Sequence, residues 1–71
     1  MSNEIKGYRV LTEADVALIN EIKEKAVEVG ALFDRLKATE GLDQRWVSIG
    51  RTDAQTSFMA AVRAVAQPTT F

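Results

Sequence analysis

One short break, Thr39-Glu40-Gly41-Leu42-Asp43, divides two long stretches that carry almost no helix breakers, and this most constrains the fold. Before it, the chain runs from Glu13 to about Ala38 with Gly30 as the one weak point, which costs about 1 kcal/mol relative to alanine in a helix interior. After it, only Gly50 interrupts the run that Pro68 ends. Thr12 with Asp15 three residues later, in "TEAD", resembles a capping box with aspartate in place of glutamate. Glu13 in the first turn suits the positive end of the helix dipole. Asp43 is the matching cap for the second run. These signals predict an all-α fold of one domain: an arm over 1–11, a helix over about 12–38, a turn over 39–43 and a helix over about 44–67. Two helices and a short turn make an antiparallel αα-hairpin.

A hairpin of this size has little to hold it together. At 71 residues, a single core supplies only roughly 3–5 kcal/mol, and small domains usually add disulfides, a metal or partner chains. The chain has no cysteine and no histidine, which removes disulfides, thiolate sites, the commonest transition-metal ligand and the usual general base. No cofactor and no metal site are expected. Partner chains remain, and the apolar pattern agrees. At about 100° per residue, Leu18, Ile22, Val29, Leu32 and Leu36 form one line on the first helix, with Val16, Ile19, Ala26 and Phe33 beside it. On the second, Val47, Ala54, Phe58, Ala61 and Val65 form a line, and Trp46, Ile49 and Ala60 fall off it. A hairpin buries one stripe per helix, so the second stripes call for another copy of the chain. Trp46, Phe58 and Met59 are the candidate packing residues of such a homo-oligomer.

The net charge is −1 and the pI about 5.3, which argues against a general binder of DNA or RNA. The charge is nevertheless uneven: most acids lie before Gly41, whereas Arg45, Arg51 and Arg63 beyond it face only Asp43 and Asp53. Arg45, Thr52, Thr56 and Arg63 share nearly one line on the second helix, flanked by Ser48, Arg51 and Gln55. Guanidinium forks and hydroxyls hold phosphate without proton chemistry. The plainer reading is a solvated face with interhelix ion pairs to Asp34 or Glu28. In the arm, Tyr8 stands beside Arg9, ahead of a helix that exposes Lys23. An aromatic ring with nearby cations suits a stacked nucleobase and its phosphate, although Tyr8 packed back onto the hairpin would look the same in sequence. There is no nucleophile paired with a base and no Gly-rich phosphate loop, so the chain is not expected to be an enzyme. No signal peptide is visible, and no run approaches the roughly 18–20 apolar residues of a membrane span; a cytoplasmic protein with no membrane partner is expected.

The motifs carry more than the periodicity does. "GYRVLT" at 7–12, "LINEIK" at 18–23, "DQRW" at 43–46, "RTDAQ" at 51–55, "FM" at 58–59 and "RAVAQP" at 63–68 together resemble the anti-CBASS sponge family of tailed phages, whose hairpin is shared with some inhibitors of the Thoeris defence. The resemblance runs nearly end to end, departing at "QTSFMA", where a glycine near Ser57 would be in keeping. It implies a protein that binds cyclic oligonucleotide second messengers of bacterial immune cyclases and sequesters them without cleavage, so that the CBASS effector is not activated. It implies a compact homohexamer, a trimer of dimers. A cyclic dinucleotide would lie between two chains, where the family's aromatic and lysine map onto Tyr8 and Lys23, with Arg9 adjacent. Cyclic trinucleotides, bound by some members where three chains meet, would fall to Arg51 and Thr52, with Gln55 nearby. The rival readings are an oligomerisation or adaptor module with a solvated polar face, and an inhibitor that binds an acidic host protein.

Overall fold

The structure is a computed structural model and describes residues 10–68. Helix α1 spans Glu13–Lys37 and helix α2 spans Gln44–Ala66, and they pack against each other as a hairpin. Each end is set by local chemistry. The capping box is complete: the Thr12 backbone N–H donates to Asp15 Oδ2 at 2.9 Å and the Asp15 N–H donates to Thr12 Oγ1 at 3.1 Å. Asp43 opens α2 by accepting from the N–H groups of Arg45 and Trp46 at 3.1 and 3.3 Å. Each cap satisfies donors that the first helical turn leaves without partners.

The turn is built to close α1 as well as to start α2. Gly41 has φ 85°, a left-handed conformation that glycine enters without a Cβ clash. The Gln44 side-chain amide reaches back to donate to the Leu36 and Thr39 carbonyls at 3.2 and 3.4 Å. The Thr39 hydroxyl donates to the Arg35 carbonyl at 2.6 Å. At the far end, Gln67 closes α2 in the left-handed region at φ 47°, and its N–H donates to the Arg63 carbonyl.

The two helices form one thin layer, with a smallest principal extent of 14 Å. The half-buried apolar side chains on α1 are Ile19, Ile22, Ala26, Val29, Phe33 and Leu36, a spacing of three and four that marks a hairpin seam. On α2 they include Val47, Gly50, Ala54, Phe58, Ala61 and Val65. The seam therefore draws on both of the lines read from the first helix, rather than burying one and leaving the other. Its tightest point is Gly50 against Phe33. A Cβ built on Gly50 would stand 2.9 Å from Phe33 Cε1, so the ring occupies the space that any side chain there would need.

Little is enclosed. Ala66 is the one buried residue among those described, while Val27, Met59 and Trp46 are 74 %, 66 % and 67 % exposed. Val16, Leu18 and Leu32 are exposed as well. Among the described residues, no helix is long and apolar enough to cross a membrane.

Candidate ligand-binding site

Antiparallel pairing sets which side chains can act together. With Lys23 beside Arg63 and Phe33 against Gly50, progress along α1 meets progress back along α2. Two shallow concavities follow on one side of the hairpin. The first, of about 400 Å³, brings Lys23 of α1 beside Arg63 of α2, over a floor of Ala26, Phe58 and Met59. The second, of about 520 Å³, shares that floor and continues past Val29, Phe33 and Ala54 to Arg51 and Gln55. The result is a continuous apolar groove with cations at both ends. Such a surface can take a flat apolar ring in the middle and an anion at either end.

A third concavity, of about 320 Å³, lies beyond Arg51 toward the turn and is polar, with Asp34, Lys37, Ser48 and Thr52 around it. Arg51 belongs to both the groove and this dish. Its Nη2 lies 3.7 Å from Asp34 Oδ1 in an exposed ion pair, the interhelix contact that the plainer reading of the arginine face anticipates. Pairs of this kind contribute at most about 1 kcal/mol in water, so the pair leaves Arg51 available to a stronger anion. Lys25 is engaged with Glu28 at 3.6 Å, whereas Lys23 and Lys37 have no ion pair among the described residues.

The residues singled out in the sequence fall into three groups. Tyr8 and Arg9 lie outside the described residues. Lys23, Arg51 and Gln55 line one groove, but at separate ends: the step of 11 positions from Lys23 to Asp34, which faces Arg51, corresponds to about 16 Å of helix. Thr52 lies in the polar dish instead. Of the candidate packing residues, Trp46 and Met59 are exposed and Phe58 is half-buried against its own hairpin. Sequence reading anticipated Asp34 as an ion-pair partner of the arginine face but missed that Arg63 stands beside Lys23 and that Lys37 lines the same dish as Arg51. The i, i+3 spacing of Asp34 and Lys37 was visible, but their partners depend on the register that the turn imposes.

Fold and site together define a class: a short all-α hairpin that encloses little among the described residues and offers an open, cation-tipped groove. Residues 3–66 match the family described as "Acb2/Tad1, hairpin domain", and the chain belongs to that family. It is 31 % identical to a protein of Pseudomonas phage JBD67 named "Anti-CBASS protein 2", with 92 % of each chain covered. It is 33 % identical to a protein of the same name from Enterobacteria phage T4, with 96 % of each covered.

Proposed function

We propose that this chain is a phage anti-CBASS protein that binds and sequesters cyclic dinucleotides, and cyclic trinucleotides at a second place, without cleaving them. The observation that carries the reading is family membership over residues 3–66, with relatives named as anti-CBASS proteins that are covered almost from end to end. The groove supports it chemically: an apolar floor between cations suits a ligand made of bases and phosphates. The protein acts in the host cytoplasm as a homo-oligomer, a hexamer arranged as a trimer of dimers.

A cyclic dinucleotide has two bases, two phosphates and approximate two-fold symmetry. A two-fold interface between chains presents each binding group twice. Two Tyr8 rings then stack on two bases, while two Lys23 ammonium groups and the neighbouring Arg9 side chains neutralise two phosphates. A chain with a single tyrosine builds a complete site only by pairing with a copy of itself. Arg51 and Thr52, with Gln55 nearby, serve cyclic trinucleotides where chains converge. Holding the messenger needs no nucleophile and no general base, only tight binding; a nanomolar dissociation constant corresponds to about −12 kcal/mol.

A release assay tests this. The protein is mixed with a cyclic purine dinucleotide, retained on a filter, and the free ligand measured before and after the retained fraction is heated. The expected result is depletion followed by recovery of intact ligand. New products would make the protein an enzyme. No depletion with either di- or trinucleotides would favour an adaptor whose arginine face is only solvated, or an inhibitor that holds a host protein.

A further inference from the structure

We infer that copies of the chain associate edge to edge, the acidic outer edge of α1 on one copy docking against the basic outer edge of α2 on the next. The inference rests on the proposed homo-oligomer and names the surface that one copy offers another. At about 100° per residue, Glu13 and Glu24 point away from the seam of α1, with Glu21 and Glu28 beside them, and all four are exposed. On α2, Arg45 and Arg63 share one line opposite the seam and are exposed as well. The hairpin therefore segregates charge between its two long edges. Glu13, Glu21, Glu24, Arg45 and Arg63 have no ion pair among the described residues, and Glu28 meets Lys25 of its own helix.

The register decides which way the edges can meet. An edge placed against its own counterpart would set Glu against Glu or Arg against Arg, and like charges so placed cost affinity. A heterologous contact sets unlike edges together, and contacts of this kind close into rings. Copies that stand side by side with their hairpins parallel keep the level each residue has in its own hairpin. Arg63 is level with Lys23, and so comes to the turn of its neighbour that carries Glu21 and Glu24. Arg51 is level with Asp34; six positions nearer the turn on each helix, Arg45 comes level with Glu40. The exceptions match too, since Asp53 of one copy falls within one helical turn of Arg35 of the next. Arg45 carries a second sign. Beyond the Asp43 cap, its first turn holds no acid, and it stands at the helix end that disfavours a cation. An acid from a neighbouring copy offsets that cost.

Sedimentation of the full-length protein without nucleotide, at low and high salt and over a wide range of concentration, tests the contact. Circular dichroism checks that each variant keeps its helices. Glu24→Arg and Arg63→Glu should each raise the concentration at which the assembly half-dissociates by about tenfold, since each places like charges at every repeat of the contact. The double variant, Glu24→Arg with Arg63→Glu, restores unlike charges and should return to within about threefold of wild type. High salt should loosen the wild-type assembly and tighten the single variants. If both single variants dissociate as wild type does, the edges are solvated and the inference is overturned. If the single variants dissociate and the double variant does not recover, the two charges do not face each other, and the inference is overturned equally. A wild-type protein that is monomeric throughout overturns the homo-oligomer and the contact together, while nucleotide binding in the release assay is judged by itself.

Discussion

Single residues in this chain take their meaning from which neighbour the opposite helix supplies. Lys23 is one exposed lysine among several in sequence; in the fold it stands with Arg63 over Phe58 and Met59. Arg51 sits some 16 Å away along the hairpin, at the junction of groove and dish. If the two positions serve different ligands, their variants should separate. Lys23→Ala is expected to lose dinucleotide binding by at least about tenfold, the loss of about 1.5–3 kcal/mol typical of a charge-assisted contact, and to leave trinucleotide binding intact. Arg51→Ala should do the reverse. Isothermal titration of both variants with both ligands decides it. Equal losses would mean that the groove is one site, or that Arg51 holds the assembly together. Lys23, Arg51, Thr52 and Gln55 stand out in the sequence as charged or polar side chains on regular helices, and the fold places Lys23, Arg51 and Gln55 along one groove and Thr52 in the dish. Asp34 was named only as one of two possible ion-pair partners of the arginine face, and Lys37 not at all, because nothing on α1 alone fixes which of its charges meets α2.

At the scale of the helices, local signals in the sequence translate directly. "TEAD" is a capping box with both hydrogen bonds made, and Asp43 caps α2 as its position before the second run implied. Which apolar residues meet across the hairpin was less legible. Lines drawn at 100° per residue follow a straight helix, whereas the seam alternates three and four residues and takes Ile22 from one line and Ile19 from the other. The two helix-interior glycines illustrate the difference. Gly50 is fixed by contact, since a Cβ there would lie 2.9 Å from Phe33, while a Cβ on Gly30 would meet nothing within 4 Å. Gly50→Leu should therefore destabilise by about 2 kcal/mol, as overpacking does. Gly30→Ala should stabilise by about 1 kcal/mol through helix propensity. Thermal melting, with about 4–8 °C per kcal/mol for a domain of this size, measures both. A lower melting temperature for Gly30→Ala would show that another chain packs against Gly30, which lines the groove.

For the whole molecule, the decisive observation is how little one chain encloses. Ala66 alone is buried among the described residues, and Trp46, Val27 and Met59 are each about two-thirds exposed or more. Apolar side chains of this size are left in water singly on most proteins, but here they lie on both helices of a layer with no second layer among the described residues to cover them. In the proposed homo-oligomer, a helical hairpin with so small a seam gains most of its apolar burial from association, and its stability is then set by protein concentration. The melting temperature is expected to rise with concentration, and light scattering to give a mass near six times the 7.8 kDa of the chain. Trp46 lies at the start of α2, exposed and away from the seam, where truncation removes surface that only another chain would cover. Trp46→Ala should thus lower the scattered mass and flatten the concentration dependence, with the helical circular dichroism signal at high concentration preserved. A monomeric wild-type protein that melts at the same temperature over a hundredfold dilution would mean that the exposed apolar surface serves a different partner. An unchanged assembly in Trp46→Ala would place the interface elsewhere, with the groove around Phe58 and Met59 the next surface to truncate.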